Sequence, residues 1–158
     1  HKLCRDMNLD LPFILMEPGR SLVANAGITL YTVGSIKKIK GYRNYAAIDG
    51  GMADNPRYAL YQAPYDVKAA NKITKSCTET YTIAGRCCES GDLIQENVML
   101  PELTRGDIIA VLATGAYNYS MSSNYNRLPK PAIVAVSGGK SRIILKRETY
   151  EDIIRNDI

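Results

Sequence analysis

The chain has 158 residues, 46% of them hydrophobic and 23% charged, and a formal net charge of +4. That length suits one domain with a real core, and the composition is that of an ordinary globular protein. The mild charge, with Lys37, Lys38 and Lys40 as its only tight cluster, argues against nucleic-acid binding, and no apolar run approaches the ~20 residues of a membrane span.

Leu11–Met16 is a continuous apolar run, the pattern of a parallel strand covered on both faces. It is predicted to be a buried strand. Too little chain precedes it to supply neighbours, so the chain is expected to be the tail of a larger enzyme. Glu17-Pro18-Gly19-Arg20 closes the run and delivers a carboxylate, a tight turn and a guanidinium to one point. Ser21–Ala26 then reads as a short helix, and Ile28–Val33, rich in β-branched and aromatic residues, as a strand. Tyr45–Ile48 is a further short strand, ended by the turn Asp49-Gly50-Gly51. Asn55-Pro56 opens a loop that carries Arg57 to Tyr61.

From Thr78 onward the β signal dominates. Thr80–Ile83 alternates and runs into Gly85, and Ile108–Leu112 is an apolar strand ending at Gly115. Ala132–Val136 and Arg142–Lys146 flank Ser137-Gly138-Gly139-Lys140, a hairpin around a turn suited to positive φ. Thr149 and Asp152 have capping-box spacing before Ile153-Ile154 and predict a short C-terminal helix. Many short strands with such turns suggest a sandwich or barrel. The basic cluster at Lys37–Lys40 is expected on a solvated edge strand or loop.

The cysteines are Cys4, Cys77, Cys87 and Cys88, and His1 is the sole imidazole. Their spacings match no zinc pattern, and the adjacent pair does not form an ordinary structural disulfide. No metal site is expected. No secretory signal is visible, and reduced thiols in the cytoplasm fit this usage.

Four constellations carry candidate chemistry. In Glu17–Arg20, Pro18 fixes φ, Gly19 allows backbone approach to a ligand, and Arg20 suits a phosphate or carboxylate; a surface turn with a Glu–Arg ion pair fits the same residues. In Gly85–Asp92, Cys88 is placed to act as an acid and Glu89 to bind an ammonium group, against a buried thiol and a solvated carboxylate. An apolar strand enters the tyrosine-rich loop 114–126, where Tyr117 either touches a ligand or serves as a structural tyrosine. Arg57 and Tyr61, four apart, share one face of a helical turn, as a carboxylate clamp or as a packing pair.

The order of these motifs is more telling than any one of them. Glu-Pro-Gly-Arg, Arg-x-x-x-Tyr, Cys-Glu-Ser-Gly-Asp, and Gly-Ala-Tyr followed by Ser-Ser-Asn-Tyr-Asn resembles the diaminopimelate decarboxylase family, from about Leu11 to Asp152. These are pyridoxal-phosphate enzymes of the alanine-racemase-like fold group. The closing segment Arg147–Asp152 also resembles the family's C-terminus.

The resemblance implies a mainly β fold: a C-terminal β-sandwich or barrel domain (residues 27–158), preceded by the last strand of an N-terminal (β/α)8 barrel (residues 1–26) and ended by a short helix. It implies pyridoxal 5′-phosphate as cofactor. Glu17 would pair with the pyridine nitrogen, keeping the ring cationic and a better electron sink. Pro18, Gly19 and Arg20 belong to the cofactor-binding turn, Arg20 also reaching a substrate carboxylate. Tyr117 would contact phosphate and substrate. Arg57 and Tyr61 match substrate-binding positions, with Tyr58 where the family usually has proline. Cys88 matches the thiol proposed to protonate the carbanion, Glu89 matches the residue holding the distal amino group, and Cys87 has no assigned role.

In the family Cys88 and Glu89 enter the partner subunit's site, which implies a homodimer with shared active sites. The Schiff-base lysine has no match here. The chain alone is therefore expected to be inactive and to require the N-terminal barrel. The implied reaction converts meso-2,6-diaminopimelate to L-lysine and carbon dioxide. The alternatives are an ornithine- or arginine-type decarboxylase, which Glu89 disfavours, and an inactive assembly or dimerisation domain.

Overall fold

The computed structural model describes residues 1–158. In chain order the strands are β1 (Thr29–Ile39), β2 (Arg43–Ile48), β3 (Val67–Ala69), β4 (Glu79–Ala84), β5 (Leu93–Leu100), β6 (Ile108–Val111), β7 (Ile133–Ser137) and β8 (Lys140–Leu145). The helices are α1 (Lys2–Asp6), α2 (Arg20–Val23), α3 (Arg57–Tyr61), α4 (Asn118–Met121) and α5 (Tyr150–Ile154). A six-stranded sheet runs in the order β3-β6-β1-β2-β4-β5, and β7-β8 form a separate hairpin. Only β2 and β4 pair in parallel; every other neighbour is antiparallel. The sheet curls until its two edges meet, where the Tyr65 amide donates to Gln95 Oε1 at 2.7 Å. The result is the expected mainly β, barrel-like domain with a short C-terminal helix.

Period-2 alternation on β1 puts Tyr31 and Val33 inside. The same phase would next turn Ser35 inward. A register shift between Val33 and Ile36 corrects this and packs Ile36 against the core instead. Ile83, Ile94 and Ile109 are completely buried in the same core, with Ala46, Val111 and Leu100 around them. The core tyrosines keep their hydroxyls paired: Tyr81 accepts from the Leu103 amide, and Tyr31 donates to Asp54. Burial, reinforced by the Asp54 charge, pushes the Tyr31 phenol well above its usual range.

The hairpin and the C-terminal cap form as the residues predict. Gly138 and Gly139 take φ of 56° and 71°, the mirror-image turn that suits a tight hairpin. Thr149 and Asp152 make both reciprocal bonds of a capping box. The predicted helix at Ser21–Ala26 appears as α2 followed by a 3₁₀ turn over Ala24–Ala26. Lys40 lies in the turn after β1, and Lys37 and Lys38 lie on the outer half of β1, which pairs only with β2 because its ladder with β6 stops at Thr32. There Lys38 pairs with Glu79 and Glu102 on the surface.

Three expectations change. Leu11–Met16 carries no ladder: residues 9–19 lie outside helix and strand, and Phe13, Ile14, Leu15 and Met16 are all exposed. A strand exists only beside a hydrogen-bonding neighbour, and no strand of this chain lies alongside the run. β5 was not foreseen, because its centre, Gln95-Glu96-Asn97, interrupts the apolar alternation; Asn97 marks the irregularity with φ of 54°. β3, three residues long, is too short to show a period.

Asp107 opens β6 and gathers the turn after β3. It accepts from Lys72 Nζ at 2.7 Å, Asn71 Nδ2 at 3.0 Å and the Thr104 amide at 2.6 Å. Burial opposes its ionisation, but these donors outweigh burial and hold the carboxyl down from 3.8 to about 2. A depressed carboxyl contributes stability that is present above about pH 4 and lost as pH falls through about 2. Asp107→Asn is expected to cost about 2 kcal/mol at pH 7, at ~1.4 kcal/mol per tenfold change in proton affinity. Urea denaturation of both proteins at pH 7 and pH 2 checks this: the difference should be present at pH 7 and largely gone at pH 2.

Candidate active site

The turn after Glu17 is fastened to the far end of β6 by two glycines. The Thr114 amide donates to the Gly27 carbonyl at 3.0 Å, and the Gly115 amide to the Ala24 carbonyl at 2.9 Å. A β-carbon on Gly115 would overlap the Val23 carbonyl oxygen, and one on Gly27 would overlap the Gly115 backbone. Only glycine permits this approach. Thr29 Oγ1 donates to Thr114 Oγ1 at 2.8 Å and adds a side-chain tie.

This docking brings the first candidate motif against the third. Arg20 Nη2 donates to the Ala113 carbonyl at 3.0 Å, while Nη1 is buried without a partner. The Tyr117 hydroxyl lies where a Gly19 side chain would begin, so a side chain at 19 would push the phenol aside. Tyr117 adopts φ of 68° and Ala113 φ of 56°. Left-handed backbone at an aromatic residue is strained by ~1–3 kcal/mol and gathers at functional sites. A guanidinium with an orphaned nitrogen, a phenol and a bare glycine backbone thus converge. That donor set fits an anion such as a phosphate.

The Arg57–Tyr61 motif lies beside the Tyr117 turn. Asn118, next to Tyr117, donates from Nδ2 to Asn55 Oδ1 at 2.6 Å, and both are buried. Its Oδ1 lies 3.5 Å from the Tyr65 hydroxyl. Asn55 and Tyr65 bracket α3, on which the Arg57 guanidinium lies over the Tyr61 ring at 5.5 Å. Arg57 Nε is buried without a partner, and Tyr61 is exposed. The helical turn expected from the four-residue spacing is present, with a second cation short of acceptors.

The cysteine loop is organised by Asp92. This carboxylate, 3% exposed, accepts from the amides of Met52 and Cys87, each at 2.6 Å. It fills the space where β-carbons on Gly51 and Gly85 would project, so both glycines answer to its bulk. Burial, then the Asp92 charge, pushes the half-buried Cys87 thiol up to about 11. Cys88 is exposed; its amide donates to Asn126 Oδ1 at 2.6 Å, and its carbonyl accepts from the Tyr125 hydroxyl at 3.4 Å. Glu89 is exposed and accepts from the Gly91 amide and the Ser90 hydroxyl.

Of the predicted residues, Gly19 and Tyr117 meet directly, the adjacent Arg20 bonds Ala113 on the segment leading to Tyr117, and α3 with Arg57 and Tyr61 is tied to that segment through Asn55 and Asn118. Glu17 and Pro18 belong to the unpaired stretch before α2, and the exposed Glu17 makes no hydrogen bond or ion pair. No bond joins Cys88 or Glu89 to Arg20, Arg57 or Tyr117. Segment 113–127 connects the two groups, bonding Arg20 at one end, Ala53 through the Ser123 amide, and Cys88 at the other. No three His, Cys, Asp or Glu side chains cluster as metal ligands do. Asp92, Asn55 and Asn118 were missed as organisers. The glycines at 51 and 85 were the available signal for Asp92.

A barrel-like sheet with this convergence defines a class. Residues 13–115 match the C-terminal sheet domain of pyridoxal-dependent decarboxylases, and the chain belongs to that family. Within it, the chain is 56% identical over 149 residues to the diaminopimelate decarboxylase of Bacillus subtilis, covering 94% of this chain and 34% of the relative. It is 49% identical to that of Halalkalibacterium halodurans over 95% of this chain and 34% of the relative. The crystal structure of the M. jannaschii diaminopimelate decarboxylase, in co-complex with L-lysine, superposes with a TM-score of 0.83 at 36% identity, covering 99% of this chain and 36% of that one. The chain therefore spans about a third of the length of the curated relatives it matches.

Two outcomes follow from the geometry. Gly115→Ala is expected to destabilise the domain by ~1–3 kcal/mol, the usual cost of overpacking. It should also speed amide exchange over Arg20–Ala26, read by urea denaturation and hydrogen–deuterium exchange. Iodoacetamide at pH 8, followed by peptide mass spectrometry, should modify Cys88 and leave Cys87 nearly untouched, since the thiolate is the reactive form and a thiol near 11 is almost fully protonated there.

Proposed function

We propose that this chain is the C-terminal portion of a pyridoxal-phosphate-dependent decarboxylase that converts meso-2,6-diaminopimelate to L-lysine and carbon dioxide. The observation that carries the reading is the approach of the Tyr117 phenol to the bare backbone of Gly19, next to Arg20 with its orphaned buried nitrogen. That donor set suits the cofactor phosphate. The names of the similar proteins agree with the reading. When bound, pyridoxal phosphate supplies the electron sink that makes loss of carbon dioxide feasible.

The chain's own residues do the remaining work. Arg20 and Tyr117 hold the phosphate, and the free Glu17 carboxylate is available to the pyridine nitrogen. Arg57 and Tyr61 bind a substrate carboxylate, Arg57 through a nitrogen left without an internal acceptor. Glu89 binds the distal ammonium. Cys88 delivers the proton to the carbon that has lost carbon dioxide. Its neighbour Cys87 is unsuited: a thiol near 11 is a weak acid at neutral pH, because burial and then the Asp92 charge oppose its ionisation.

Within one chain no bond joins Cys88 or Glu89 to Arg20 or Tyr117. This favours a two-fold dimer in which each copy lends the cysteine loop to its partner's site. Residues 1–26 are read as the tail of an N-terminal (β/α)8 barrel. The exposed side chains of Phe13, Ile14, Leu15 and Met16 are the surface that barrel would cover. The cytoplasm is the compartment in which its four free thiols stay reduced.

The test is carbon dioxide release from meso-diaminopimelate, ornithine and arginine. This chain alone should release none. Joined to an N-terminal barrel bearing the lysine, it should act on diaminopimelate in preference to the other two. Cys88→Ala should then lower kcat by ~10²–10⁴, the usual yield of a positioned acid. Faster turnover of ornithine would overturn the substrate assignment.

A further inference from the structure

The substrate clamp sits on α3, a single five-residue turn ending at Gln62 with φ of 51°. So short a helix has little stability of its own, and its orientation has to be imposed from outside. β5 imposes it twice. Gln95 accepts from the Tyr65 amide beyond the helix at 2.7 Å, and Glu96 Oε2 accepts from the Tyr58 hydroxyl within it at 2.7 Å. Two consecutive side chains of one strand therefore grip the helix and the chain that leaves it.

Glu96 is itself braced. Its Oε1 accepts from Arg43 Nη1 at 2.5 Å, and that guanidinium lies against the rings of Tyr42 and Tyr45 at 5.4 and 5.8 Å. The Tyr58 hydroxyl, then Arg43, holds the Glu96 carboxyl below the usual range, so it is ionised near neutral pH. Burial, then Glu96, raises the Tyr58 phenol, which stays a donor. Both bonds to Glu96 are charge-assisted, the stronger kind. Tyr58 sits between Arg57 and Tyr61 on the same turn, so a peg at Tyr58 stops the rotation that would swing the other two.

We propose that Tyr58, Glu96 and Arg43 form a positioning strut that sets the orientation of Arg57 and Tyr61, and through them the affinity for the carboxylate end of the substrate, without touching the substrate. The inference rests on the decarboxylase reading, since Arg57 and Tyr61 bind substrate only under it.

The test uses the chain joined to its barrel and loaded with cofactor, acting on meso-diaminopimelate. Tyr58→Phe removes one oxygen and is expected to raise KM by about tenfold, the loss of one hydrogen bond to a charged group. The kcat should stay within about twofold. Glu96→Gln should act in the same direction. In an Arg57→Ala/Tyr61→Ala background, Tyr58→Phe should add nothing, because the strut acts through those two side chains. Exchange of the Leu60 and Gln62 amides, bonded to Pro56 and Tyr58, should quicken in Tyr58→Phe. An unchanged KM, or the same KM increase with both Arg57 and Tyr61 side chains removed, would overturn the strut. If the unmodified enzyme releases no carbon dioxide from diaminopimelate, the functional reading has failed. The amide-exchange arm then decides the strut alone: unaltered exchange at Leu60 and Gln62 refutes it.

Discussion

Two backbones in contact, at Gly27 and Gly115, are the constraint on which the site depends. Residues 19–26 belong to no strand of the sheet, and α2 has only four residues. What holds this segment is a pair of main-chain hydrogen bonds to the turn beyond β6. Those bonds need a separation that any β-carbon would prevent. Gly19, Arg20 and Tyr117 are almost a hundred positions apart at their extremes, yet they meet because their flanking chains are sewn together at this point. The strain of left-handed φ at Ala113 and Tyr117 is tolerated for the same reason: the surrounding bonds over-determine the turn.

A second constraint sets the other half of the site. Asp92 is a buried acid satisfied by backbone amides, with glycines on two sides making room for it. It ties the turn that leads into Asn55 and Arg57 to the loop that carries the cysteines. The two adjacent thiols thereby become chemically different. Cys87 lies beside the carboxylate and is held protonated, whereas Cys88 faces outward. A burial pattern designed for packing thus selects which thiol is offered to chemistry.

Between these anchors the polar interior works as a set of short connections. Asn55, Asn118 and Tyr65 link the Tyr117 turn to α3, and Gln95 and Glu96 link α3 to β5. The elements that bear candidate ligand-binding side chains are short and irregular, and each is held from elsewhere in the chain: α3 by Gln95 and Glu96 of β5, the Arg20 segment by backbone bonds to the turn after β6, and the cysteine loop by Asp92. A rigid sheet with functional residues on its connecting segments is a common division of labour.

Local chemistry was legible in the sequence. The Gly138-Gly139 hairpin and the Thr149–Asp152 cap depend on neighbours a few residues away, so their residue types suffice. The order of the short motifs was enough to indicate the family, and Arg57 and Tyr61 fell on one helical face as their spacing required. What depends on distant partners was not legible. β5 hid behind Gln95-Glu96-Asn97 because its polar residues serve α3 and β2, not its own alternation. Leu11–Met16 has a strand's composition, but a ladder needs a neighbour, which apolar residues do not carry with them. The approach of Tyr117 to Gly19, and the bond from Arg20 to Ala113, were settled by tertiary structure alone. Backbone hydrogen bonds between remote glycines, and the burial of one aspartate, leave no periodic trace in the chain.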